Sequence, residues 1–119
     1  MARLLQAGTS NDAKQGGENM LYAYPAVFIK EELGYTVIFP DLNHLATCGK
    51  NLKEAEAMAV DCLAGYLYEV IKDNIAIPAA SDILRINPED TMEWLEMEPC
   101  EAFVNMVTVD VDEYAKKHF

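Results

Sequence analysis

Basic residues are scarce in this chain. Nine lysines and arginines stand against twenty aspartates and glutamates, a net charge of −11. A protein that grips nucleic acid by its phosphates needs a basic face, so this balance argues against direct nucleic-acid binding. It fits a partner that is itself basic, and it also serves solubility. Histidine is nearly absent too. His44 has only Asp41 close by in sequence, and His118 lies beside the C-terminus, so neither has the converging partners that metal binding or acid–base work requires. The three cysteines, Cys48, Cys62 and Cys100, form no CxxC and are odd in number. They read as reduced thiols in a cytosolic protein, with Cys62 a small core residue of a helix. No apolar run approaches the roughly 20 residues that span a bilayer. The N-terminal MARLLQAGTS is no secretory signal. GxSxG, P-loop, GxGxxG, HExxH and EF-hand patterns are all missing, so no cofactor is expected.

What the chain does have suits one small domain. It is 119 residues long and 51% hydrophobic, enough for a packed core. Residues 1–19 are polar, rich in small side chains and without periodicity, and read as a flexible leader, with Met20 a possible functional start. Residues 24–30 (YPAVFIK) read as a strand, opening at Pro25 because proline is tolerated at a strand start or edge. EELG closes a hairpin into residues 35–39 (YTVIF), whose mixed apolar content suggests that both sheet faces are at least partly covered. Pro40 ends that strand, Asp41-Leu42-Asn43 makes a corner, and residues 44–48 (HLATC) form a third strand closed by Gly49.

Asn51 followed three residues later by Glu54 forms a capping box. Leu52, Ala55, Ala59, Cys62, Leu63, Tyr66, Leu67 and Val70 then keep a helical period, so a helix of roughly 34 Å runs to about Asp73. Residues 75–81 are extended, and Asp82 or Ser81 opens a short turn. Asn87-Pro88-Glu89 starts a second helix, ending near Pro99, with Trp94 and Leu95 facing inward. Residues 102–109 (AFVNMVTV) alternate as a fourth strand, placed most simply beside the first. Asp110, Asp112 and Glu113 read chiefly as the cap and first turn of a final helix, although alternate carboxylates could also hold Mg²⁺. Tyr22, Tyr24, Tyr35, Tyr66 and Tyr68 offer stacking surface, but no basic groove accompanies them. Residues 82–119 carry ten acidic side chains and three basic ones.

The segment YPAVFIKEELGYTVIFPDLNHLATCGKNLKEAEAMAVDCLAGYL resembles the HicB antitoxin family. It has a YPAVF-like strand, an acidic turn with glycine, a GYxVxFPDL strand, a TxG turn and an (S/T/N)LxEAxxxAxxxL helix. VTVDVDEY is similar to that family's end of domain. The resemblance implies an α+β, two-layer, partly degenerate RNase H-like β-β-β-α-β domain, with an antiparallel hairpin sheet packed on a long helix. It implies a non-enzymatic, cytoplasmic role: residues 20–119 would neutralise a small basic HicA toxin, an mRNA-cleaving RNase, by covering its active surface. Homodimers or higher homo-oligomers are common in the family. Many members continue into an operator-binding domain after the DEY segment; none is expected within these 119 residues. A residual metal-dependent nuclease is the rival reading, with Glu54 or Glu56 and Asp110 and Asp112 as ligands. It lacks the carboxylate such an enzyme needs in the middle of the first strand. A toxin-free homo-oligomer is a third. Glu31, Glu32, Asp41, Asn43, His44 and Trp94 are the candidate partner contacts.

Overall fold

The computed structural model describes residues 21–118. The leader and the start at Met20 lie outside the described residues. Strand β1 (Leu21–Glu31) turns through Glu32 and Leu33 into β2 (Gly34–Phe39). Glu31 pairs with Gly34, so the loop has two residues. Gly34 sits at φ +149°, and a Cβ there would lie 2.3 Å from the Gly49 carbonyl oxygen. Only glycine satisfies both demands. After the corner come β3 (Leu45–Gly49), α1 (Leu52–Lys72), α2 (Pro88–Trp94), β4 (Ala102–Asp110) and α3 (Val111–His118). The sheet order is β3-β2-β1-β4, antiparallel throughout, with the fourth strand beside the first as expected.

Strand β1 begins three residues earlier than expected, and Pro25 lies inside it, opposite Met106. The ladder explains why this is tolerated. Lys30 N–H donates to the Glu101 carbonyl at 2.8 Å. Antiparallel pairs alternate between bonded and non-bonded, so the even-numbered residues of β1 exchange hydrogen bonds with β4 and the odd-numbered ones turn to β2. Pro25 nitrogen therefore points to the β2 side. The β1–β2 ladder starts only at Val27 and Ile38, so no bond is lost.

Helix α1 starts at the expected cap, with the return bond of the box made one residue before it, at Lys50. Asn51 Oδ1 accepts from Glu54 N–H at 2.8 Å, and Glu54 Oε1 accepts from Lys50 N–H at 2.5 Å. Its buried stripe is Ala55, Ala59, Leu63, Ala64, Leu67 and Val70. All of that stripe but Val70 shares one core with Tyr24, Ala26, Phe28, Val37, Phe39, Leu42, Val107, Val109 and Val111. Leu52 is more than a third exposed, and Cys62 is only half-buried. Both lie at the margin of the expected stripe. The helix ends in a Schellman motif: Ile75 N–H donates to Val70 O, Asn74 N–H to Ile71 O, and Asn74 is left-handed.

The opposite sheet face is also covered, so the second layer is joined by a partial third. Val27, Ile29 and Ile38 pack with Met92, flanked by Ile86, Leu95, Met97, Ala102 and Val104. The chain reaches that face through the extended stretch 75–81, which is tied down twice. Tyr24 O–H donates to the Pro78 carbonyl, and the Asp41 carboxylate accepts from Ser81 N–H and Oγ–H, each at 2.7 Å.

Burial pushes the Tyr24 hydroxyl up to about 12, with Tyr22, Asp41 and Tyr66 adding to the effect. An unfolded tyrosine ionises near 10. The fold's preference for the neutral phenol is intact below pH 10 and is lost as pH rises from about 10 to about 12, on the order of 2 kcal/mol. Urea midpoints across that window should fall more steeply for the wild type than for Tyr24→Phe. At neutral pH the variant should be the weaker by about 1 kcal/mol, because the Pro78 carbonyl loses its donor.

Candidate partner-binding surface

The corner after β2 is a single turn of 3-10 helix, Pro40–Leu42, pegged by the buried Leu42 side chain. The chain then leaves it through two successive left-handed residues, Asn43 at φ 57° and His44 at φ 58°. Two adjacent non-glycine residues in that region carry backbone strain, so the corner is held by its surroundings. Asp41 is one such hold, since both its oxygens accept from Ser81. Its carboxylate is thus occupied within the fold and is the least available of the candidate contacts.

A second hold comes from α2. Asn87 Oδ1 caps this helix by accepting from Glu89 N–H at 2.9 Å, and Pro88 occupies its first turn. Met97 N–H donates to Met92 O and Glu96 N–H to Glu93 O, a Schellman ending with Glu96 left-handed at φ 59°. The helix therefore stops at Trp94, earlier than the expected end near Pro99. Its inner stripe is Thr91 and Met92, with Pro88 and Leu95 half-buried beside them. Leu95 packs inward as expected, but Trp94 does not. The indole is 58% exposed. One of its faces lies flat on His44, with ring centroids 3.8 Å apart and planes 3° from parallel. An inward Trp94 is thus corrected to an exposed, stacked one: Pro88, Thr91, Met92 and Leu95 fill the i, i+3, i+4, i+7 positions, and Trp94 falls off that stripe.

The remaining candidates sit elsewhere. Glu31 and Glu32 lie at the hairpin tip beside Leu33, which is 89% exposed. Thr36 Oγ1 donates to Glu31 Oε2. The tip, Gly49, Lys50 and Glu54 line a shallow open groove of about 530 Å³. Asn43 and His44 are at the opposite end of β2, a strand roughly 20 Å long. The six candidates therefore form two regions, one at each end of β2.

Between 82 and 101 the chain carries seven carboxylates, of Asp82, Glu89, Asp90, Glu93, Glu96, Glu98 and Glu101, against one guanidinium, Arg85. All seven side chains are exposed. Among the described residues none of them makes an ion pair; the pair that does form there is Lys116–Glu113, at 3.8 Å. Trp94 stands in the middle of this acid.

The nuclease ligands are not brought together. Glu54 is at the hairpin end, bonded to Lys50. Asp110 pairs with Leu21 at the far end of β1, and its Oδ1 caps α3 by accepting from Glu113 N–H at 3.1 Å. An eleven-residue strand separates the two by roughly 30 Å. Among the described residues no three His, Cys, Asp or Glu side chains are placed to share a metal ion. Nor is any described helix long and apolar enough to cross a membrane.

A family sequence model described as "HicB_like antitoxin of bacterial toxin-antitoxin system" matches residues 22–87. The chain belongs to the HicB-like antitoxin family. Solved structures agree. A chain of a "Toxin-Antitoxin complex from Streptococcus pneumoniae" is 32% identical with a TM-score of 0.70, over 80% of this chain and 73% of that one. A chain of a "HicA3 and HicB3 toxin-antitoxin complex" is 17% identical with a TM-score of 0.58, over 75% of this chain and 99% of that one, which speaks to the fold. No curated protein matches. The HicB-like match includes the hairpin, the corner and α1 but stops before α2, so the His44–Trp94 stack joins a residue inside the matched segment to one beyond it.

Proposed function

We propose that this HicB-like antitoxin neutralises a small basic HicA-type toxin, an mRNA-cleaving RNase, by covering the toxin's active surface. The reading is of a cytosolic, non-enzymatic protein on a partly degenerate RNase H-like scaffold. The observation that carries it is the exposed acid of residues 82–101, without an ion pair among the described residues, on a member of an antitoxin family. Such a surface speeds encounter with a basic protein and repels RNA, leaving the toxin as the partner it favours. The two ends of β2 would supply the contacts: Glu31 and Glu32 on one side, Asn43, His44 and Trp94 on the other, with Asp41 bracing the second. A self-paired assembly is compatible with this role. Among the described residues strand β4 is an edge, without charge over 102–109, and the ladder turns the backbone groups of Ala102, Val104 and Thr108 outward.

The test is an RNA-cleavage assay with a HicA-type toxin and rising amounts of this chain. Stoichiometric inhibition is expected, with no cleavage by the chain alone in Mg²⁺ or Mn²⁺. Reversing charge with Glu31→Lys and Glu32→Lys should slow association several-fold and flatten its salt dependence. Unchanged kinetics would remove the hairpin tip from the contact surface.

A further inference from the structure

The indole has two faces; among the described residues His44 stacks on one of them, and the side chain is still 58% exposed. We propose that the other face of Trp94, with Asp90 beside it, seats an arginine side chain of the toxin; this rests on the antitoxin reading above. Asp90 precedes Trp94 by four residues on α2, so the carboxylate and the indole are neighbours on one helical stripe. Both point away from the buried stripe of Thr91 and Met92.

The chemistry selects the occupant. An aromatic face attracts a cation through its quadrupole, and tryptophan does so best. A guanidinium is flat and weakly hydrated, so it can lie on the indole and still offer N–H groups to a carboxylate at its edge. A lysine ammonium is a compact, strongly hydrated charge and cannot do both. A nucleic-acid base would also stack, but its phosphates would enter a field of seven carboxylates and one guanidinium. A second copy of this chain brings a net charge of −11 to the same acid. The platform is also rigid before binding. His44 backs the ring, and the Schellman turn fixes the helix end, so little side-chain freedom remains to be lost. Exposed large aromatics with this support are typical of residues that dominate binding energy.

Trp94 is the chain's single tryptophan, so its fluorescence reports the site alone. The full chain is titrated with a short oligoarginine peptide and with an oligolysine of equal length. Tighter binding and a larger emission change with oligoarginine are expected, both reduced by Asp90→Asn. Equal responses to the two peptides overturn the seat. In parallel, affinity for a HicA-type toxin is measured for wild type, Trp94→Phe and Trp94→Leu, with circular dichroism to confirm the fold. Trp94→Leu should weaken binding about ten-fold or more and Trp94→Phe clearly less, because leucine keeps apolar area but no π face. Equal losses in the two variants, or no loss in either, also overturn it. If the wild-type chain binds no toxin while the oligoarginine preference holds, the antitoxin reading fails and the seat stands.

Discussion

Replacing Gly49 by alanine is expected to lower the unfolding free energy by about 3 kcal/mol, the upper end of over-packing penalties. A Cβ at Gly49 would lie 2.4 Å from Ala55 N, 2.6 Å from Ala55 Cα and 2.8 Å from the Glu54 carbonyl carbon. All three are backbone atoms of the first turn of α1. None can rotate aside, so either β3 or the helix start must shift, and with it the cap made by Asn51 and Glu54. A small domain holds only about 5–15 kcal/mol in total, so the midpoint of thermal unfolding should fall by roughly 15 °C. Gly65→Ala is the matched control. Its nearest neighbour would be the Tyr114 hydroxyl at 3.4 Å, and alanine is the better helix former, so stability should be unchanged or raised by up to about 1 kcal/mol. Equal stability of Gly49→Ala and wild type would mean that the helix start is not seated on the strand end as described.

Phe28→Ala should cost about 3–5 kcal/mol. The ring is 1% exposed, faces α1 from the central part of β1, and stacks on Phe103 of β4 with centroids 5.1 Å apart and planes 6° from parallel. The two residues are register partners, so the stack reinforces the β1–β4 ladder. Phe103 is 38% exposed, and its truncation should cost only about 1 kcal/mol by the smaller area lost. A double-mutant cycle read by urea denaturation should give a coupling of about 0.5–1.5 kcal/mol. A coupling near zero would assign the whole effect to burial beneath α1.

Much of this molecule is legible in its residues because its turns carry their own chemistry. The hairpin glycine, the Asn51 and Glu54 box, the Asn87-Pro88 start and the Asp110 cap each act within four residues, and each lies where the sequence places it. What escapes such reading is set over longer distances. Pro25 looks like a strand boundary until the register shows that its nitrogen faces the side β2 has already left. Asp41 looks like a surface carboxylate, yet it holds Ser81, forty residues away. Trp94 invites burial by its size, and the polar Thr91, only 3% exposed, hides the true inner stripe of α2. Gly49 reads as a strand end, while the helix pressed against it is invisible to any local rule. The candidate contacts follow the same division. The sequence names them as candidates, but their separation into two ends of β2 required the fold.

The alternation along β1 divides its amides between two neighbours. Those of Tyr22, Tyr24, Ala26, Phe28 and Lys30 belong to β4, and those of Val27, Ile29 and Glu31 to β2. Hydrogen exchange along this one strand therefore follows two openings independently. Fraying of β4 releases only the even-numbered set, and detachment of the β2 hairpin only the odd-numbered one. Exchange slowed in one set alone on complex formation would show which side of the sheet the bound protein has tightened.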